Sequence, residues 1–521
     1  MLFTFTALSC SSFKAPKDPN ILVVHMAADP TNLNLLISND FASSMVNGYI
    51  YESLIARDNE TLEWIPRLAS AWEVSKDGMQ YTFHLKEGIQ WHDGLPLTVE
   101  DILYSFKKIQ EPNPETLHLS NYYKDISKLE KLDKNTVRFT YAKPYFKALE
   151  FCGGLPIIPQ HIYDDGQDFN THSANRKPIG TGPFQFERWD AGKQIVLKRN
   201  EDYWDKSRFP QIKGIVFKVI TDDAVALMAL KKDLIDLMNV SPIQWMKQTN
   251  SPDFNARFVK HHYDAPVYYY VGWNLRRPQF NDKKVRQALT MLSNRQAIVD
   301  KLIYGLAKVI SGPFFFQSDS YNKKVEPLPY DPEAAAKLLD EAGWTDHDGD
   351  GIRDKDGVKL EFQLLVRTGN RTHEYVASIL KEDFTKAGIK MEIIPMERSI
   401  LFHRAQTWDF DAVIMGWSSS FDDDPYQVWH SSQIENEQHQ KGSNFVGYKN
   451  EEVDEILEKA RSTFDKEKRS ALYQRFHEIV AEDQPYTFLY ANPTLLVRSA
   501  RFKNVKIYKG GEDVLEWKLL E

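Results

Sequence analysis

The sequence predicts an α/β protein built from more than one lobe. Its 521 residues exceed what a single hydrophobic core usually holds, so two or three lobes are expected. Residues 360–366 form a predicted strand, 372–387 an amphipathic helix and 389–394 a second strand. Such strand–helix–strand alternation with intervening glycines is typical of an α/β lobe.

The composition is that of an ordinary globular protein with an acidic balance. Hydrophobic residues make up 42% of the chain and charged residues 26%, which is usual for a globular fold. The formal net charge of −8 argues against nucleic acid and anionic membrane surfaces as partners, because like charges repel. Aromatic residues reach 13%, and they either fill a large mixed core or line a cleft for polar, variable ligands.

The first residues form a short apolar run that ends at Cys10. The run is too short to span a membrane, and a polar, proline-containing stretch follows it, as in a tether. We therefore expect residues 1–20 to be a lipoprotein signal and tether with Cys10 lipidated, although the run lacks the basic residues of a complete signal peptide. A plain secretory signal or a disordered tail is the alternative. The second cysteine, Cys152, is predicted to be a small buried apolar residue.

Hydrophobic periodicity and turn residues predict the remaining elements in chain order. In the first half, the predicted strands and hairpins cover 21–25, 126–141, 184–197, 215–220 and 268–274. The predicted helices there cover 41–54, 222–231 and 285–289. In the second half, a helix begins after Asp331, two more cover 453–460 and 466–481, and strands cover 410–417 and 488–490.

Residues 68–106 form the most distinctive stretch. Apolar and polar residues alternate over 81–85, which predicts a strand with one buried face. Asp77-Gly78 supplies the turn before it. Thr98, followed three residues later by Asp101, predicts a capped helix N-terminus.

This stretch carries several fixed motifs, namely Ala69-x-x-Trp72, Asp77-Gly78, Tyr81-x-Phe83-x-Leu85 and Trp91-His92-Asp93-Gly94-x-Pro96-Leu97-Thr98-x-Glu100-Asp101. Others are Tyr51-Glu52-Ser53-Leu54, Gly180-Thr181-Gly182-Pro183 and Asn200-x-x-Tyr203-Trp204. Together they resemble the family 5 extracellular solute-binding proteins, the dipeptide- and oligopeptide-binding receptors of ABC importers. The resemblance covers nearly everything from residue 21 onward.

The resemblance implies an α/β, two-lobed periplasmic-binding-protein-like fold with an additional domain inserted in the first lobe. Lobe I would comprise residues 21–53, 180–270 and 488–521. The inserted domain would comprise 54–179, and lobe II would comprise 271–487.

The resemblance also implies a receptor in the periplasm or cell envelope that captures a ligand between its lobes and delivers it to the permease subunits of an ABC transporter. A short peptide is the expected ligand, and an oligosaccharide, a metal chelate or a cell-wall fragment is the alternative. We expect a monomer that meets the membrane only through its lipid anchor, with no enzymatic activity, cofactor or resident metal. A hydrolase and a sensor or chaperone-like envelope protein are the rival classes.

Two extended stretches are predicted to line the ligand site. Backbone groups of 268–274 and 415–419 are candidates to pair with the amides of an extended ligand. Aromatic rings beside them would accept varied side chains. The predicted ligand-binding residues are Tyr269, Trp273, Asn274, Gly416, Trp417, Ser418, Ser420 and Asp422.

Asp422, Asp423 and Asp424 form the most charged loop near the expected cleft. Adjacent carboxylates repel, so they need a nearby cation or full solvation. A ligand's α-ammonium, a metal ion and a sugar-hydrolysing pair are the functional interpretations, and a solvated loop is the structural one. Peptide-binding members of the family pair the ligand's amine with an Asp shortly after Gly-Trp, a position that falls here on Ser420 or Phe421. Asp422 is expected to substitute for it and Asp423 to face water; the departure leaves peptide specificity open.

Asp346, Asp348 and Asp350, with Gly351, have the spacing of a calcium loop. The twelfth position is Gly357 where a bidentate glutamate is wanted, so a tight turn is the preferred interpretation and no metal is predicted. The sequence contains no nucleophile elbow, His-Glu-x-x-His or Cys-x-x-Cys motif, which disfavours the enzyme classes that depend on them.

Overall fold

The protein is described here by a computed structural model that covers residues 18–418, 420–434 and 442–520. The predicted lipidation site, Cys10, lies outside these ranges. The described chain divides into two compact units. Unit 1 contains residues 18–144, 148–263 and 495–520, and unit 2 contains 145–147 and 264–494. Within the described ranges, none of the helices combines the length and apolarity that crossing a membrane requires.

The main sheet of unit 1 collects strands from distant parts of the chain. Its order is Phe184–Asp190, Gln194–Arg199, Gly214–Val219, Ile21–Met26, Leu237–Asn239 and the last residues of Tyr486–Ser499. Ile21–Met26 and Gly214–Val219 pair in parallel, and the helices Phe41–Ile50 and Asp223–Lys231 follow these two strands. The predicted strand–helix pattern of this part is therefore confirmed.

A separate antiparallel sheet lies within the stretch predicted as an insertion. Its order is Ala69–Val74, Gln80–Leu85, Thr136–Tyr141 and Ile126–Lys131. The helix Val99–Gln110 begins after Thr98, whose backbone N–H donates to Asp101 Oδ2 at 2.8 Å, so the predicted hairpin and cap are confirmed. The division into units does not separate residues 54–179 from the rest of unit 1, so their status as a domain stays a prediction.

His92 connects two of the sequence motifs. Its backbone N–H donates to Gly180 O at 2.9 Å, and its Nδ1 accepts from the Gly180 N–H at 3.2 Å. Its Nε2 donates to Gly182 O at 3.0 Å. Burial lowers the pKa of His92 to about 4, which keeps the ring neutral as this pair of bonds requires. A Cβ on Gly180 would lie 1.9 Å from Ile50 O, so only glycine fits there.

The helix Phe41–Ile50 ends before the predicted limit of residue 54. The reason is that Ile50 O accepts a hydrogen bond from Gly182 N at 2.8 Å, and the backbone becomes extended at Tyr51. This turn carries Glu52 into the interior. There Glu52 accepts hydrogen bonds from the side chains of Thr181, Tyr203 and Trp204.

The sheet of unit 2 has the order Lys390–Met396, Glu361–Arg367, Ala412–Ser418, Phe258–Trp273 and Tyr486–Ser499. Its main helices are Lys283–Leu292, Arg295–Leu302, Pro332–Glu341, Arg371–Lys386, Arg398–Gln406, Glu451–Arg461 and Lys466–Asp483. The strands on either side of Arg371–Lys386 pair in parallel. This confirms the strand–helix–strand unit predicted over 360–394.

Two long strands carry the chain from one unit to the other. Apart from residues 145–147, which also belong to unit 2, the changes fall at 263/264 and 494/495, not at the predicted 270/271 and 487/488. Phe258–Trp273 and Tyr486–Ser499 are much longer than the predicted strands. Polar residues such as Lys260 and Asp264 interrupt the apolar alternation of the first, so periodicity alone did not predict its start.

Candidate ligand site

The strand Ala412–Ser418 has an open edge where the sequence places the candidate site. On one side it pairs antiparallel with residues 267–273 along its whole length. On the other side it pairs with Glu361–Arg367 at Ala412 and Val413, and among the described residues 415–418 have no strand partner on that side. An unpaired strand edge offers N–H and C=O groups to an extended chain. Residues 268–273, in contrast, belong to a strand with a neighbouring strand on each side, so the prediction that their backbone groups are available to a ligand's amides is wrong.

Tyr269 and Gly416 lie opposite each other across the strand pair. A Cβ on Gly416 would come 2.7 Å from Cδ1 of Tyr269, so the ring occupies the space that a side chain at this position would need. Trp417 stacks on Phe445, with ring centroids 5.7 Å apart. Gly416 and Ser418 are exposed, while Tyr269 and Trp417 are half-buried. All four therefore remain candidates for ligand contact.

Trp273 and Asn274 lie in the interior of unit 2. Trp273 is fully buried and donates from Nε1 to Thr487 Oγ1 at 3.2 Å. Asn274 is buried too, and its Nδ2 donates to Phe410 O at 2.8 Å. Their polar groups are satisfied by the fold, so the prediction that they contact a ligand is wrong and their role is structural.

Asp422 carries an ion pair with Arg469. Its Oδ2 and Oδ1 lie 3.1 Å and 3.3 Å from Nη2 of Arg469. The Arg469 side chain is only 6% exposed, whereas that of Asp422 is 36% exposed. The guanidinium also packs over the ring of Phe146 at 4.1 Å. The charge of Asp422 is therefore already matched within the protein, which disfavours its predicted role as partner of a ligand ammonium; that role stays a prediction.

Asp424 is matched in the same way by Arg461. Its Oδ2 accepts from Arg461 Nε at 3.0 Å and from Tyr145 Oη at 2.8 Å. Both partners of this ion pair are largely buried. The guanidinium lies over the rings of Tyr145 and Tyr426, at 4.4 Å and 4.3 Å. The Asp424 carboxylate is thus part of a packed cluster with Arg461, Tyr145 and Tyr426 in unit 2.

Asp423 sits beside the buried ammonium of Lys147. Lys147 Nζ donates to Ser420 Oγ at 3.2 Å and to Asp422 O at 3.1 Å. Asp423 keeps part of its surface in solvent, yet the surrounding protein desolvates its carboxylate and raises its pKa to about 6, with Lys147 opposing the shift. Asp423 therefore faces water only in part. The Ser420 hydroxyl also donates to Asp422 O at 2.9 Å, so it forms a hydrogen bond within the loop.

The three carboxylates and their three cations form one cluster, which we call the loop network: Asp422, Asp423, Asp424, Lys147, Arg461 and Arg469. The cations offset the cost of burying the carboxylates. A glycosidase needs one carboxyl as acid and a second as nucleophile or base, both facing the substrate. Asp422 and Asp424 instead face arginines, so the geometry does not support the hydrolase interpretation of this loop.

The sequence analysis missed the three cations of the loop network. Lys147 lies 275 residues from Asp422 along the chain, and no local pattern connects them. Arg469 had one detectable signal, since it shares a helix face with the buried Tyr473 and Phe476. An arginine in an apolar stripe indicates a buried anionic partner.

The calcium-like loop is a tight turn. Asp346 accepts backbone hydrogen bonds from Gly349 at 2.8 Å and Gly351 at 2.9 Å. Lys359 supplies positive charge to Asp348 and Asp350. Oxygens of Asp346, Asp348 and Asp354 approach within 4.8 Å of one another; Asp346 and Asp348 are exposed, and Asp354 is half-buried. The predicted turn is confirmed.

Comparison with known proteins identifies the family. Residues 63–438 match the profile of "Bacterial extracellular solute-binding proteins, family 5 Middle". The oligopeptide-binding protein AppA of Bacillus subtilis (strain 168) is 34% identical over 486 residues, which span 91% of this chain and 87% of that protein. The dipeptide-binding protein of Escherichia coli (strain K12) is 30% identical over 481 residues, spanning 86% and 84%.

Comparison with solved structures agrees with these sequence matches. AppA from Bacillus subtilis in complex with a nonapeptide has a TM-score of 0.86 at 32% identity, covering 96% of this chain and 99% of that one. NikZ from Campylobacter jejuni in complex with Ni(L-His) has a TM-score of 0.83 at 27% identity, with the same coverage. These neighbours confirm the predicted two-lobed, periplasmic-binding-protein-like α/β fold. This chain belongs to family 5 of the bacterial extracellular solute-binding proteins.

Proposed function

We propose that this solute-binding protein is an oligopeptide receptor that delivers its ligand to the permease of an ABC importer. The observation that carries the proposal is the open edge of residues 415–418. A peptide of any sequence has the same backbone, so pairing along a strand edge gives affinity without restricting side chains. The names of AppA and of the Escherichia coli relative, an oligopeptide- and a dipeptide-binding protein, support the same ligand class.

Side chains beside the edge suit varied ligand residues. Trp417 and Tyr269 present half-buried aromatic rings, and Gly416 and Ser418 are exposed without bulky side chains. Aromatic rings contact apolar and polar groups alike, so they tolerate different peptide side chains. We therefore retain these four residues as the proposed ligand contacts.

The test is to identify the ligand that the native protein carries. Protein purified from its own host is denatured, and the released molecules are identified by mass spectrometry. We expect unmodified peptides in roughly one-to-one amount with protein. A nickel or iron chelate, a saccharide or a cell-wall fragment in that amount would replace the peptide proposal with the non-peptide alternative, for which NikZ with Ni(L-His) is a precedent.

We further propose that the receptor is tethered to the cell envelope through a lipid on Cys10. The support is the apolar run that ends at Ser9-Cys10. In the native host, the wild-type protein should sediment with membranes and Cys10→Ser should be released. Equal membrane retention of both would contradict the tether.

A further inference from the structure

We propose that this receptor binds peptides without recognising a free α-amino group, so that N-acylated peptides and internal segments of longer chains are ligands as good as peptides with a free amine. The inference rests on the proposed peptide-receptor function. It concerns the loop network, whose first carboxylate, Asp422, lies four residues beyond the open edge of 415–418.

A ligand ammonium that loses its water needs an unmatched carboxylate nearby. The charged residues that flank the edge are Asp411, which pairs with Arg277, and the acidic residues of the loop, so the loop supplies the first candidates. Asp422 is held by Arg469 and Asp424 by Arg461. Both arginine side chains are at least four-fifths buried, so neither can move into solvent to release its carboxylate without leaving the packed cluster.

Asp423 is a poor partner as well. The buried Lys147 lies beside it and already balances its negative charge. Burial favours its neutral form, which attracts a cation less than a carboxylate does.

The charge count leads to the same result. Among the described residues, three carboxylates face three cations, so these six side chains carry no net charge when all of them are ionised. A ligand ammonium would make the loop network net positive in a partly buried site, which low-dielectric surroundings disfavour. Peptides held by backbone pairing need no such contact, and their ends are free to extend past the edge. The ligand class that follows is peptides with blocked or extended amino termini, alongside free ones.

The test is calorimetric titration with one nonapeptide in two forms, with a free and with an acetylated α-amine. We expect dissociation constants within about twofold of each other, because acetylation removes no salt bridge. If the amine did form a salt bridge, its loss would weaken binding by tenfold or more. Tight binding of the free form with a tenfold or greater loss for the acetylated form would overturn the inference while the peptide-receptor function stands. Binding of neither form by the ligand-stripped protein would overturn both.

Two variants locate the effect. Asp422→Asn should leave the ratio of the two dissociation constants near one, and Glu361→Gln, in an exposed ion pair with Lys390, is its control. If Asp422→Asn does not fold, the ratio of the two dissociation constants is measured in Asp423→Asn instead. That variant keeps the anionic partners of both Arg461 and Arg469. A loss confined to the free peptide in either aspartate variant would overturn the inference.

Discussion

Oδ2 of Asp422 lies 3.1 Å from Nη2 of Arg469, and this ion pair fixes the acidic loop to the helix Lys466–Asp483. The arginine is buried and also donates to Thr463 O at 2.9 Å. An ion pair of this kind stabilises the folded protein whether or not a ligand is bound. The loop is therefore a structural element beside the proposed site.

Asp422→Asn should destabilise the protein by roughly 1–3 kcal/mol, because it leaves the buried Arg469 guanidinium without its anion. The loss stays below that of a fully buried pair since the Asp422 side chain is 36% exposed. Urea unfolding measures it. Glu361→Gln, whose pair with Lys390 is exposed, should cost under about 1 kcal/mol. Equal losses in the two variants would contradict the structural role of the Asp422–Arg469 pair.

Asp423→Asn should change how stability depends on pH. The carboxyl has its pKa raised from 3.8 to about 6 in the folded protein, so the folded state binds the proton more tightly than the unfolded state. Wild-type stability contributed by this group is therefore present below pH 4 and is lost as pH rises through about 6. The variant lacks this loss. Relative to wild type, it should gain stability between pH 4.5 and pH 7.5 in urea unfolding; a relative loss over that range would contradict the burial of Asp423.

Gly180→Ala should destabilise unit 1 by about 1–3 kcal/mol or more, since the new Cβ would lie 1.9 Å from Ile50 O. The clash also displaces the loop that His92 holds. Gly48→Ala is the matched control in the helix Phe41–Ile50. Its Cβ would meet open space, so it should stabilise the protein by up to about 1 kcal/mol. Thermal unfolding distinguishes them, and a harmless Gly180→Ala would contradict the close approach.

Two tryptophan variants should separate binding from folding. Trp417→Ala removes a half-buried ring at the open edge and should weaken peptide binding tenfold or more, about 1.4 kcal/mol. Trp273→Phe removes the bond to Thr487 in the core and should cost about 1–3 kcal/mol of stability with an unchanged dissociation constant. Calorimetry and urea unfolding on both variants measure the split. A lower affinity in Trp273→Phe at unchanged stability would restore that residue to the ligand site.

Local signals predicted much of the fold. The unit over residues 360–394 has a strict period, and the structure places strands at Glu361–Arg367 and Lys390–Met396 on either side of its helix. The cap of Thr98 with Asp101 is also a short-range effect, and it too is confirmed. Phe258–Trp273 was missed over most of its length because its pairing, not its own pattern, makes it a strand.

The site was harder to predict because it depends on contacts between distant residues. Tyr269 and Trp273 share one extended stretch, yet one is half-buried and the other lies in the core. Whether 268–274 is an edge or an interior strand depends on a partner that arrives more than two hundred residues later. The ion partners of the acidic loop are equally remote from their sequence context.

Titration of the ligand-stripped protein with a nonapeptide, followed by mass spectrometry of the recovered peptide, tests the central claim most directly. A receptor that pairs a peptide along 415–418 should bind one peptide per chain and return it intact. An absence of binding, or recovery of cleaved peptide, would contradict the account.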